Sequence, residues 1–206
     1  MPSRRRFLAG AAALVLAPRS FAQPSRTRLV LLGTSGGPRV TAKGRAKPAT
    51  LIVANNVPYV IDCGDGVALQ FVRAGFALDT LRYVFITHHH SDHNLDYGNL
   101  IYAGWAAGLR TPVDAYGPPP IKRMTEAYFE LNRFDIETRI ADEGRVDLRK
   151  LLSAHEFDRN GLVMQNADVK VSAARVRHPP IELAYAYRFD AADRSIVISG
   201  DTTYSP

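Results

Sequence analysis

Tyr83-Val84-Phe85-Ile86-Thr87-His88-His89-His90-Ser91-Asp92-His93 is the stretch that decides how this chain is read. Its first residues are a continuous aromatic and β-branched run, the pattern of a buried strand, and the histidines follow without a break. Side chains at i and i+2 of an extended segment point the same way, so His88 and His90 can grip one ion. If the chain then turns into a helix, Asp92 and His93 can face a second ion. His89 points away from its neighbours and is left out of the ligand set. Imidazole with carboxylate suits zinc, and also iron or manganese. Two such ions, about 3.5–4 Å apart, activate water for hydrolysis. A surface histidine cluster that meets metal only by chance would need neither the buried strand nor the well-placed acid.

Working outward, 28–32 reads as a buried strand entering the glycine turn Gly33-Thr34-Ser35-Gly36-Gly37-Pro38. Two apolar runs, 50–53 and 58–62, bracket Asn55-Asn56 as a hairpin. Residues 67–74 have the spacing of a short helix stopped by Gly75. Residues 95–109 read as a helix with Leu95, Asn99, Tyr102 and Ala106 along one face. Residues 112–117 form a strand, and Pro118-Pro119-Pro120 opens a helix to about 132. Strands are expected at 169–176, 182–189 and 195–199, with 190–193 as the turn between the last two. Strands interleaved with helices, then strand hairpins, predict an α/β layered domain. A buried strand so near Pro206 gives the expectation of a truncated chain. Cys63, the one cysteine, reads as a buried small residue and excludes an internal disulfide.

The 206 residues suffice for one domain with a real core. Residues 1–22 are read as an export signal. Ser3-Arg4-Arg5-Arg6-Phe7-Leu8 is a basic head, 7–17 is an apolar run, and Ser20-Phe21-Ala22 offers a cleavage site. The run is too short to span a bilayer, which takes about 20 residues. The order Ser-Arg-Arg-x-Phe-Leu resembles the twin-arginine signal, which implies a periplasmic or secreted protein without a stable membrane anchor. Removing the four arginines of 1–22 lowers the basic count from 26 to 22 against 20 acids. The high isoelectric point therefore owes much to the signal and is no nucleic-acid footprint.

Thr87-His88-His89-His90-Ser91-Asp92-His93 resembles the signature of the metallo-β-lactamase superfamily. Leu32-Gly33-Thr34-Ser35-Gly36-Gly37-Pro38 is similar to the opening turn of its ribonuclease Z-like and arylsulfatase-like branch. Asp62-Cys63-Gly64-Asp65-Gly66 matches the acidic glycine turn after the second hairpin. The resemblance implies an α/β fold, the four-layered αββα sandwich, over 23–206, incomplete at the C-terminus. It implies two divalent ions, zinc first among them. One would be held by His88, His90, His178 and Asp201, the other by Asp92, His93 and the same Asp201. Asp92 and Asp201 would be the catalytic carboxylates, with Asp92 orienting the attacking hydroxide. Asp62 would steady a ligand histidine from behind. The family places one further histidine on the second ion, after the bridging aspartate, and this sequence has none there. His155 precedes the motifs and reads as a surface or loop residue.

Three functions compete. The first is an exported hydrolase of sulfate or phosphate esters, arylsulfatase-like, acting on a small molecule and expected as a homodimer. Tyr102-Ala103-Gly104-Trp105 and Arg110-Thr111-Pro112 resemble that branch, although Trp105 alone reads better as core. The second is a ribonuclease processing tRNA 3′ ends. Export weighs against nucleic acid as a partner. So does the interval of 22 residues between His178 and Asp201, which leaves no room for a tRNA-gripping arm. The third is a metal-binding module without catalysis, suggested by the missing histidine.

Overall fold

The computed structural model describes residues 26–39 and 44–204. The signal reading of 1–22 lies outside them. The chain begins with an antiparallel ribbon, β1 (Arg28–Gly33), β2 (Ala49–Ala54) and β3 (Val57–Ile61). Asn55 and Asn56 turn β2 into β3, both at positive φ (49° and 64°), as a two-residue hairpin requires. Helix α1 (Val67–Arg73) leads to β4 (Tyr83–Phe85), which lies parallel to β3. Then come α2 (Ser91–Asn94), α3 (Tyr97–Ala106), β5 (Val113–Gly117), α4 (Ile121–Leu131), α5 (Arg133–Glu143) and β6 (Leu152–Glu156). The six strands form one sheet in chain order, parallel from β3 onward. A second, antiparallel sheet runs β10-β9-β8-β7, from β7 (Gly161–Gln165), β8 (Val169–Arg175), β9 (Tyr185–Ala191) and β10 (Ser195–Ile198).

Alternation along the strands sorts the side chains between two cores. Leu51, Val53, Val60 and Val84 meet the helices through Phe71, Leu100, Ile101, Trp105, Ile121 and Ile136. Ile52, Tyr59, Ile61 and Phe85 meet Val171, Tyr187 and Phe189 of the second sheet. The first sheet is thus buried on both faces, which is why its strands read as near-continuous apolar runs. Phe85 is the centre of the inter-sheet layer. It stacks on Tyr116 at 5.1 Å and meets Tyr187 and Phe189 edge-on at 5.3 and 5.1 Å. Each such pair adds about 0.5–1.5 kcal/mol beyond burial. Helices, sheet and sheet are three layers of the αββα sandwich. Among the described residues no helix covers the outer face of the second sheet, which carries Lys170 and Arg188.

Several boundaries differ from the sequence reading. The helix expected over 95–109 is α3, Tyr97–Ala106, set off from α2 by Leu95-Asp96. There the Asp96 N–H donates to Cys63 O (2.9 Å) and the carboxylate accepts from Gly66 N (2.7 Å). The row Leu95, Asn99, Ala106 faces solvent, and Leu100, Ile101 and Trp105 face the core. Trp105 donates to Val146 O at 2.7 Å and is core, as the sequence suggests. Helix α5 and strands β6 and β7 were not expected. Strand β10 is half-exposed rather than buried, with Val197 open to solvent. His155 is exposed, as a surface residue, but lies on β6, stacked on Tyr116 and bonded to Asp114 at 2.7 Å. Cys63 is fully buried, and burial pushes its thiol well up.

Candidate metal centre

The site grows from the end of β4. Beyond Phe85 the chain bends at Thr87, and His90 is extended (φ −80°, ψ 146°) where it enters α2. The contacts put His88 and His90 on one side and His89 on the other. His89 Nε2 bonds Pro118 O at 2.8 Å, and its Nδ1 lies 3.0 Å from Asn94 Nδ2. His89 thus braces the loop against the start of α4. Burial lowers its pKa, opposed in part by the Pro118 carbonyl.

His88 Nε2 and His178 Nε2 lie 3.1 and 3.0 Å from His90 Nδ1. The His90 nitrogen can donate to one of them at most, so lone pairs converge here. Tetrahedral zinc with Zn–N near 2.0–2.1 Å would separate its ligand nitrogens by about 3.3 Å. His88, His93 and Asp201 form a second group that could hold an ion. Asp201 presents Oδ1 to His93 Nε2 at 3.4 Å and Oδ2 to His178 Nε2 at 4.0 Å, so its two oxygens face different histidines. Gly200 before it has φ 60°, and a Cβ there would meet the Thr87 side chain at 2.9–3.1 Å. Asp92 stands slightly apart. Its Oδ2 is 3.8 Å from His93 Nε2 and accepts the Gly37 N–H at 2.6 Å.

Behind these groups lies Asp62, buried, with its backbone in the left-handed region (φ 62°). That conformation costs a non-glycine residue about 1–2 kcal/mol. It aims the carboxylate at three donors: Thr87 N (2.8 Å), Thr87 Oγ1 (2.9 Å) and His93 Nδ1 (2.7 Å). Two tautomers follow. His93 donates through Nδ1, so neutral His93 carries its lone pair on Nε2. Thr87 spends its proton on Asp62 and therefore accepts from His88 Nδ1 (3.0 Å), leaving the lone pair on His88 Nε2. Among the described residues His93 Nε2 is buried without any hydrogen-bond partner. A buried nitrogen with a fixed lone pair and a carboxylate beside it fits a divalent cation.

Electrostatics agrees. Burial, reinforced by His93, His178, His90 and His89, lowers the His88 pKa to about 3, so its ring is neutral at any ordinary pH. Burial also pulls His93 down, but the Asp62 hydrogen bond and the charges of Asp62, Asp201 and Asp92 outweigh it, and the net shift is upward. A cation in place of that proton would meet the same negative field. The sequence reading assigned no role to Thr87, Gly37 or Lys47. Thr87 could have been found as the hydroxyl preceding the first histidine, whereas Gly37 acts through its backbone.

This fold and this cluster define a class. A profile of the metallo-beta-lactamase superfamily matches residues 42–206, and the chain belongs to that superfamily. Among its relatives, the ribonuclease Z of Mycobacterium sp. (strain KMS) is 34% identical over 176 residues, 84% of this chain and 61% of that protein. The ribonuclease Z of Mycobacterium marinum is 29% identical over 181 residues, 86% of this chain and 64% of its own length. The chain therefore spans less than two thirds of these relatives. Human tRNase Z, short form, is similar in structure (TM-score 0.69, 20% identity, 85% of this chain and 69% of that one). So is the metallo-beta-lactamase fold protein YhfI of Bacillus subtilis (TM-score 0.65, 19% identity, 89% and 65%). At these identities the structural likeness is one of fold.

Proposed function

We propose that this chain carries the centre of a two-metal hydrolase acting on phosphate- or sulfate-type esters. In this reading His88, His90, His178 and Asp201 hold one divalent ion, zinc by preference, and Asp92, His93 and Asp201 hold the other. The observation that carries it is the unpartnered, buried His93 Nε2 beside the three converging imidazole nitrogens. Bound ions of this kind supply Lewis-acid chemistry, making water acidic near neutral pH and offsetting negative charge on the ester. The protein's own groups do the rest. Asp62 and Thr87 keep His93 and His88 in the ligating tautomers. Asp92, fixed by Gly37 N–H, accepts a hydrogen bond from the attacking water and sets its direction. An open cleft of about 760 Å³ beside His178 carries Arg175 and Arg177, which favours an anionic ester.

A second reading, cleavage of precursor tRNA, is favoured by the names of the curated relatives. The segment between His178 and Asp201 weighs against it, because a bridge to Ile181 and the β9–β10 hairpin occupy it and no arm projects. The protein, stripped and reloaded with Zn²⁺ or Mn²⁺, should hydrolyse bis-aryl phosphate or aryl sulfate, and Asp201→Ala should lose both turnover and tight metal. Cleavage of precursor tRNA alone would transfer the assignment to the second reading. Unchanged metal content and rate in Asp201→Ala would sink both. Export through the twin-arginine route belongs to the same proposal; Arg4→Lys with Arg5→Lys should leave the protein in the cytoplasm, and normal export would refute it.

A further inference from the structure

Among the described residues the glycine turn reaches the candidate metal centre through the Gly37 N–H, which donates to Asp92 Oδ2 at 2.6 Å across 55 positions of sequence. Around Gly36 and Gly37 the space is open, so close packing does not hold the turn. Its supports come from the irregular segment before β2. Thr34 N and Ser35 N donate to Ala46 O at 2.9 and 3.0 Å, and the Lys47 ammonium donates to the carbonyl of Arg39. Lys47 is 5% exposed, and among the described residues no carboxylate pairs with its ammonium. Burying a cation without a counter-charge is costly, so stability alone does not account for a lysine here. Its stem lies against Gly64, where a Cβ would come within 2.5 Å of Lys47 Cβ and 2.3 Å of the Asp92 carbonyl oxygen. Gly64 thus lies between Lys47 and the backbone of Asp92, with Lys47 tied to the glycine turn on its other side.

We infer that Lys47 is a positioning residue for Asp92. Its ammonium holds the Arg39 carbonyl and so fixes the glycine turn, and the turn's Gly37 amide holds the Asp92 carboxylate toward His93 Nε2. The second-ion part of this inference rests on the proposed role of Asp92; the coupling of Lys47 to the turn does not. A methionine at 47 would keep the apolar stem and lose the donors, and an arginine would keep a cation able to reach the same carbonyl.

Amide exchange at Gly37 in the metal-free protein and Co²⁺ titration of the full chain test it together. In Lys47→Met, Gly37 protection should fall at least about tenfold, and the weaker of two Co²⁺ steps should lose about tenfold in affinity while the tighter step holds. Lys47→Arg should restore both. Unchanged Gly37 protection in Lys47→Met overturns the inference, as does equal weakening of both Co²⁺ steps. If the methionine variant does not fold, Lys47→Gln, which retains an N–H donor on a shorter stem, is compared with Lys47→Arg by the same criteria. A wild-type protein that takes one Co²⁺ counts against Asp92 as a ligand, and the exchange result still decides the role of Lys47.

Discussion

Replacing Asp62 by asparagine removes one charge and changes almost nothing else. Asparagine tolerates the left-handed backbone about as well as aspartate, so φ 62° adds no new strain. The amide oxygen can keep the bond from Thr87 N at 2.8 Å. The NH₂ then occupies the place of Oδ2, which accepts from Thr87 Oγ1 and from His93 Nδ1. Donor now faces donor. His93 escapes by moving its proton from Nδ1 to Nε2, which blocks the lone pair aimed into the site. Thr87 must accept from the new amide, and its redirected hydroxyl presses His88 toward the same change. A hydrogen bond to a charged group contributes about 1.5–3 kcal/mol. Losing the one on His93 converts to roughly 10–100-fold in metal affinity. We expect Asp62→Asn to fold, to lose about 1–3 kcal/mol in urea denaturation of the metal-free protein, and to bind Zn²⁺ about 10–100-fold more weakly in competition with a chromophoric chelator. Affinity equal to wild type, with the fold intact, would refute the assignment of tautomers from which this follows.

Three further expectations can be measured directly. Gly64→Ala places a Cβ 2.3 Å from the Asp92 carbonyl oxygen and 2.8 Å from the Lys47 carbonyl carbon, both backbone atoms, and should cost about 3 kcal/mol, read as a lowered Tm. Phe85→Ala empties the centre of the inter-sheet core and should cost about 3–5 kcal/mol, with Phe85→Leu recovering most of it in the same denaturation assay. The third concerns pH. Because the folded His88 pKa is about 3, against an ordinary 6.5, the unfolded chain binds the extra proton between those values. The His88 contribution in the metal-free protein is thus fully present above pH 6.5 and declines as pH falls toward 3, by about 1.4 kcal/mol per pH unit. His93, shifted upward, acts with the opposite sign and loses its contribution as pH rises through its folded value. His88→Asn should flatten the acid limb, and an unchanged slope would contradict the shift.

Local chemistry made part of this molecule legible. The apolar run 83–86 contains β4, the Asn55-Asn56 pair is the β2–β3 turn, and the alternation of His88, His89 and His90 separates two candidate ligands from a brace. Helix α5 escaped because its apolar signal is thin. Ile136 is its one buried residue, and its regularity shows instead in the Asp135–Arg139–Glu143 ion pairs at i, i+4. Strand β6 escaped because it is an edge: Leu152-Ser153-Ala154-His155-Glu156 is half-exposed, and its strand state comes from register with β5. The split between α2 and α3 is imposed from outside, by Cys63 O and Gly66 N acting on Asp96. His178 and Asp201 entered through family resemblance, since a lone histidine after a strand and a turn aspartate carry no periodicity of their own.

That division explains where the centre lies. His88, His90, Asp92 and His93 follow the end of β4 in the first sheet, while His178 and Asp201 follow β8 and β10 of the second. Neither sheet holds all the candidate ligands, so the proposed centre forms only when the two sheets pack. The joint between them is specific. Tyr185 N donates to Thr87 O at 3.0 Å, and Tyr187 Oη donates to Ile86 O at 2.8 Å, both beside the first histidine. Tyr187 is also one of the rings around Phe85. The aromatic core that holds the sheets together therefore sets the distance between the two halves of the metal centre. A loss of inter-sheet packing should appear first as weakened metal binding through His178 and Asp201, before it appears as unfolding.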